Sequence, residues 1–249
     1  MHLKKYILGL TILLVSLAAC QSPQEPTPSA QEIIDASIAA HGGPTYQDFA
    51  AAFTFRDKAY TIQKTGEAFT YTRTFTQEGD TIHDALNNGA FTRQISGQVA
   101  TVPDTMATKY ANSVNSVAYF ALLPAPLNDP ATQKQYLGQE AIKGSNYHKI
   151  KVTFTEEGGG EDFDDVFIYW IHSETSHMDY LAYEYHVNGG GIRFRETLNP
   201  REVGGIRWQD YVNYKAEVGK VALEDTGKAF EKGELKELSR ILLENIEVE

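Results

Sequence analysis

From Phe69 to Thr76 the chain reads Phe-Thr-Tyr-Thr-Arg-Thr-Phe-Thr, with an aromatic residue or Arg at every odd position and Thr at every even one. Only an extended strand sorts two such sets onto opposite faces, since a helix would spread both around its circumference. The same two-residue period runs through Phe53 and Phe55 and through Tyr60 and Ile62. It continues over 81–86 and 90–95, which the turn Asn87-Asn88-Gly89 joins. It resumes near 135–142, 147–154, 166–171, 180–186, 192–198 and 206–214, with glycine-rich turns at 158–160 and 189–191. About ten antiparallel strands with few helices between them cannot form a parallel α/β sheet.

Two segments break this pattern with a helical period. Ser29 followed by Glu32 forms a capping box, Ile33, Ile34 and Ile38 make an apolar stripe, and Gly42 provides the stop, predicting a helix over 30–41. The second helix starts at Asp104 as its cap, runs to Leu123 and is stopped by Pro124; Met106, Tyr110, Val114, Val117 and Ala121 share one of its faces. At 1.5 Å per residue it is about 30 Å long, enough to cross a sheet. The final stretch, 234–249, reads either way: Leu235, Leu238 and Leu242 suit a helix, Ile246 and Val248 a strand. The expected fold is mainly β (α+β), a single large curved antiparallel sheet, or half-barrel, with covering helices, in one domain over 31–249.

The N-terminus is of a different kind. Lys4 and Lys5 precede an apolar run from Tyr6 to Leu17, and Leu17-Ala18-Ala19-Cys20 follows. A charged start, a short apolar run and a small-residue end form a secretory signal peptide, too short to span a bilayer. The same tetrapeptide resembles a bacterial lipobox, which implies cleavage after residue 19, acylation of Cys20 and anchoring to a membrane through its acyl chains; the alternative is an ordinary signal peptide with an incidental cysteine. Cys20 is the chain's single cysteine, which excludes an internal disulfide framework and a multi-cysteine zinc site. The next residues, Gln-Ser-Pro-Gln-Glu-Pro-Thr-Pro-Ser-Ala, form a Pro-rich tether that holds the body off the membrane. The mature chain has 230 residues and a formal charge of -13, against -11 with the leader. Such an acidic balance argues against a nucleic-acid partner. The absence of Asp after Cys20 points to the outer membrane of a bacterial envelope.

The candidate ligand site is the aromatic strand face. Phe53, Phe55, Phe69, Tyr71 and Phe75, with Arg73 among them and Tyr110, Val114 and Val117 on the helix above, could line a cavity for an acyl chain whose head group meets Arg73. The alternative is that they pack under the helix as ordinary core, with Arg73 facing an acid. The six acids of 156–165 lack calcium-loop spacing and read as a solvated hairpin. His172, His177 and His186 have no zinc-site spacing, and His41 at a helix end needs only the dipole. No nucleophile elbow, metalloprotease, phosphate-loop or dinucleotide pattern occurs, and the body has no thiol nucleophile. No catalytic residue, metal or cofactor is assigned.

The stretch Val166-Phe-Ile-Tyr-Trp-Ile-His-Ser-Glu-Thr175 resembles a strand-turn signature of lipoprotein carriers of the LolA/LolB type, with His172 where Asp is usual. Ala40-His41-Gly42-Gly43 with Tyr46 resembles a group of uncharacterised bacterial envelope lipoproteins of the same fold. The resemblance implies a half-barrel enclosing an apolar cavity, and hence a non-enzymatic lipoprotein that binds or shuttles a lipid or acyl chain. Two other readings stand beside it. A glycan- or protein-binding surface lipoprotein would expose Trp170, Trp208, Tyr183 and Tyr185 together. A hydrolase would gather acids or histidines in a cleft.

Overall fold

A computed structural model describes residues 27–157, 163–186, 189–217 and 219–249; Cys20 and the centre of the acidic hairpin lie outside them. The chain opens with α1 (Ala30–His41), started by the expected capping box: Ser29 Oγ accepts from the Glu32 N–H, and Glu32 accepts from the Ser29 N–H at 2.8 Å. These bonds hold the Glu32 carboxyl below its ordinary range. Strands β1 (Asp48–Phe55), β2 (Lys58–Thr65), β3 (Ala68–Gln77), β4 (Asp80–Asn87), β5 (Ala90–Ile95) and β6 (Gln98–Val99) then form a meander. The long helix α2 (Asp104–Leu122) follows, with Pro103 at the cap position and Asp104 as the first helical residue.

The second half supplies β7 (Thr132–Ile142), β8 (Ser145–Phe154), β9 (Val166–His172), β10 (Met178–Tyr185), β11 (Gly191–Val203) and β12 (Ile206–Lys215). A short helix that the sequence pattern did not signal, α3 (Thr226–Glu231), precedes β13 (Lys236–Ile241) and β14 (Leu243–Val248). The ambiguous C-terminus is therefore strand, because β13 pairs with β12 and β14 with β1. Of the leucines that suggested a helix, Leu238 and Leu242 are exposed and Leu235 packs against the core around Trp170 and Phe194, while Leu243 is buried.

The strands form two antiparallel ladders of seven, ordered β14-β1-β2-β3-β4-β5-β6 and β13-β12-β11-β10-β9-β8-β7. Only Leu242 separates the edge strands β13 and β14, so the chain steps directly from one ladder into the other. The half-barrel thus curves through a seam rather than through an unbroken set of hydrogen bonds. Asp210 fastens that seam: its carboxylate accepts from the Leu243 N–H at 2.8 Å and pairs with Arg201, which also donates to the Leu243 carbonyl. The turn after β11 must pass close by. Gly204 has φ +59, and a Cβ there would lie 2.4 Å from Val248.

The concave side is covered by α1 and α2. Ile33 and Ile34 of α1 join Ile150, Tyr169, Met178 and Leu181 in one core; Ala118, Ala121 and Leu122 of α2 join Phe53, Tyr60, Ile62 and Trp208 in a second. A third core lies on the other side of β9–β11, where Trp170 and Phe194 pack with Leu223 and the Phe230 ring of α3.

Candidate ligand cavity

The register of the first ladder places Phe53, Tyr60, Arg73, Asp84 and Arg93 in one row across β1–β5. The row lies beneath α2 and is filled. Phe53 stacks on Tyr60 at 5.6 Å, and Asp84, fully buried, takes Arg73 at 2.5 Å and Arg93 at 2.6 Å. Arg73 also donates to Ser113 of α2 at 2.7 Å, and Arg93 lies 3.6 Å over the Tyr110 ring. Phe75 stacks against Lys58 and Arg73, and Phe69 against Tyr71 at 4.6 Å. Burial pushes the Tyr71 hydroxyl up to about 12. Val114 is 1% exposed within the helix–sheet contact.

A cavity of about 560 Å³ opens on the other flank of α2, toward the second ladder. Its helical wall carries Asn112, Asn115, Ser116 and Tyr119, spaced i, i+3, i+4, i+7 and hence on one stripe. Opposite stand alternate residues of the strands: Tyr183 and Tyr185 on β10, Arg193 and Arg195 on β11, Gln209, Tyr211 and Asn213 on β12, Ser239 and Ile241 on β13. Phe120 of α2 and Phe167 of β9 close one side, with Phe120–Tyr183 at 5.6 Å and Phe154–Phe167 at 5.8 Å. Such a volume falls within the roughly 300–1,000 Å³ typical of small-molecule sites.

Of the nine strand and helix residues that the sequence pattern put forward, Phe55 and Val117 line this cavity. Phe53, Phe69, Tyr71, Arg73, Phe75, Tyr110 and Val114 do not. They share the expected sheet face or the helix face above it, but α2 packs onto that sheet and Arg73 meets the acid Asp84 instead of open space. The strands that do line the cavity carried a signal of their own, the alternation of Arg193-Arg195, Gln209-Tyr211-Asn213 and Ser239-Ile241-Leu243. Polar residues on alternate positions ordinarily mark a solvent face, so this alternation does not by itself announce a cavity. Trp170 and Trp208 are fully buried, and Tyr183 and Tyr185 are half-buried in the cavity wall, so these four make no exposed aromatic platform.

The cavity lining combines aromatic rings with polar side chains, several of them buried. The Arg195 guanidinium lies 3.7 Å over the Phe120 ring and donates to Tyr183 at 3.2 Å. Gln209 donates to the Met178 carbonyl at 3.2 Å and to the Tyr211 hydroxyl at 2.8 Å, and Asn213 donates to Ser239 at 3.2 Å. Burial pushes the Tyr211 phenol up to about 12 and raises Tyr119 and Tyr169, whose hydroxyls bond each other at 2.9 Å. All three phenols are therefore neutral at physiological pH. Among the described residues no three His, Cys, Asp or Glu side chains gather to hold a metal ion, and no helix is long and apolar enough to cross a membrane.

An open, two-ladder antiparallel sheet with helices over its concave side is the LolA/LolB-like fold. A LolA superfamily protein from Nitrosomonas europaea is similar in structure at a TM-score of 0.50, with 11% identity over 90% of this chain and 92% of that one. A domain of a putative outer membrane lipoprotein-sorting protein from Vibrio parahaemolyticus gives 0.46 with 10% identity over 82% and 98%. A DUF1329 family protein from Desulfovibrio piger gives 0.44 with 11% identity over 89% and 93%. No curated protein matches the sequence. The chain belongs to the family described as of unknown function, DUF6503, whose sequence model matches residues 4–243.

Proposed function

We propose that this protein is a non-enzymatic envelope lipoprotein, held to the outer membrane by an acylated Cys20, that binds or shuttles an apolar ligand, a lipid or acyl chain, in the cavity beside α2. The observation that carries the reading is the cavity of about 560 Å³ with an aromatic wall between helix and sheet. The LolA-like fold and the lipobox-like leader support the same reading. On this reading a lipid-sized pocket sits on a Pro-rich tether beside a membrane.

The test is recovery of the full chain from its native envelope, followed by mass spectrometry of the intact protein and of its organic extract. The expected result is an acylated N-terminus at Cys20 and a co-purifying lipid at close to one equivalent. A chain that carries no lipid and takes up none from vesicles would count against ligand binding. A Cys20→Ala variant that still sediments with membranes would count against the anchor.

A further inference from the structure

The eight arginines divide cleanly. Among the described residues, Arg73, Arg93, Arg201, Arg207 and Arg240 each have a carboxylate within 4.0 Å. Arg56, Arg193 and Arg195 take part in none of these ion pairs, and all three line the cavity, whose remaining charged residue is Asp165. Each of the three lies instead over an aromatic ring, Arg56 at 5.0 Å from Phe55, Arg193 at 4.9 Å from Tyr185 and Arg195 at 3.7 Å from Phe120. A ring face attracts a guanidinium without neutralising it, so the charge stays available to an anion. In a chain of formal charge -11, the cavity lining carries three cations and one acid.

Arg195 is the informative one. It is 7% exposed, and among the described residues its Nε has no hydrogen-bond partner. Its cross-strand neighbour is Asn213, 8% exposed, whose Oδ1 also lacks a partner among the described residues; Gln209, on the same face of β12 and 3% exposed, has an Oε1 likewise unpartnered among them. Three buried polar side chains with unmet hydrogen-bonding capacity on one patch are unusual, because each unsatisfied group costs the full desolvation of that group. A buried cation without a counterion is costlier still. Their common feature is the cavity they line.

We infer that the ligand is an anionic amphiphile: its apolar chain lies along Phe120, Phe154 and Phe167, and its carboxylate- or phosphate-type head is held by Arg195 with Asn213 and Gln209 beside it. This rests on the cavity being a lipid site. It adds the charge of the head and its position on β11–β12. The unpartnered amide oxygens accept from a protonated or hydroxylated head, or through water, while the guanidinium fork matches the two oxygens of a carboxylate. Arg56 and Arg193 extend the positive field along the same cavity and favour entry of anionic over neutral chains.

The experiment compares a fluorescent long-chain acid, cis-parinaric acid, with its methyl ester on the delipidated mature protein at neutral pH. The two probes share a chain and differ in head charge. The wild type is expected to bind the acid about tenfold or more tightly, the ratio that one charge-assisted hydrogen bond supports. Arg195→Met should abolish the preference, acid and ester then binding alike, and Arg195→Lys should keep part of it. Equal affinities in the wild type, or a preference that survives Arg195→Met, overturn the head assignment while the apolar-ligand reading stands. Binding of neither probe overturns both. Displacement of the acid by inorganic phosphate alone reassigns the patch to a small anion and overturns the amphiphile. If Arg195→Met does not fold, the wild-type ratio still decides the charge of the head. Asn213→Asp, which keeps the arginine and sets a carboxylate opposite it in the ladder, decides its place by abolishing that preference; an unchanged ratio overturns the placement.

Discussion

Arg73 and Arg195 are buried to nearly the same degree, 6% and 7% exposed, and both meet α2, Arg73 at Ser113 and Arg195 at Phe120 two turns further on. Around Arg73 the space is closed. Asp84 takes it together with Arg93, Ser113 caps its other end, and Tyr60 and Phe75 lie beside it. Around Arg195 there is a hollow, the rings of Phe120, Tyr183 and Tyr211, and no acid within ion-pairing distance among the described residues. The same residue type under the same helix is thus a structural tie in one place and an unmet charge in the other. The difference lies in what the neighbouring strand supplies: Asp84 stands directly opposite Arg73 in the ladder, whereas Asn213, a neutral amide, stands opposite Arg195. A strand pair with a missing acid is where to look for a ligand.

The contrast can be broken most forcefully at Asp84. Asp84→Ala leaves two guanidinium groups buried without a counterion and is expected to cost about 3–5 kcal/mol, lowering the melting temperature on the order of 10 °C. A fall of only a degree or two would mean that water reaches this cluster and that the tie is not buried as described. Acid titration probes a third buried polar group, His41. Its Nδ1 donates to the Ser37 carbonyl at 2.8 Å and its Nε2 accepts from the Met178 N–H at 3.4 Å, so both ring nitrogens are engaged in the neutral form. Burial lowers its pKa from 6.5 to about 4. The unfolded chain therefore takes up a proton below pH 6.5 that the folded chain refuses until about pH 4, and stability falls on acidification across that window. The loss attributable to His41 approaches about 3 kcal/mol and flattens below pH 4. Denaturant unfolding at pH 7 and pH 4.5 should show a shallower pH slope in His41→Gln than in the wild type, although His148 and His177, also depressed by burial, add slope of the same sign to both.

Arg195→Met carries the comparison in the opposite direction. Removing an unpaired buried charge should leave stability unchanged or raise it by about 1–2 kcal/mol in the ligand-free protein. A loss comparable to that of Asp84→Ala would place a hidden counterion at Arg195 and erase the distinction. The smallest expected effect is at Tyr119→Phe, which strands the buried Tyr169 hydroxyl without its 2.9 Å partner and should cost about 1 kcal/mol by thermal unfolding. No change there would show that the hydroxyl pair is bridged by water.

Much of the architecture was legible along the chain. The Ser29–Glu32 box placed the start of α1, the Phe69–Thr76 alternation placed β3 and its two faces, and Pro124 bounded α2 within a residue. Residues 234–249 were not resolved by pattern, because leucines at helical spacing compete there with alternation. Pairing with β12 and β1 settles them as strand, and no local signal encodes that pairing. The cavity escaped for a similar reason. The stripe Asn112-Asn115-Ser116 and the alternating Arg193-Arg195 read as surface, since polar residues on one face of an element ordinarily meet water.

Order within each segment came from the chain alone. Which positions alternate, where a helix is capped and which face is apolar depend on neighbours a few residues apart, and those relations survive in any fold. Which of two equally buried arginines would find an acid, and on which flank of α2 space would remain, depended on strands far apart in sequence. Arg73 and Asp84 are joined by a ladder, Arg195 and Asn213 by another, and α2 lies across both. Periodicity reports that a face is covered; only the assembled sheet decides what covers it, and whether the cover fills it or leaves it hollow.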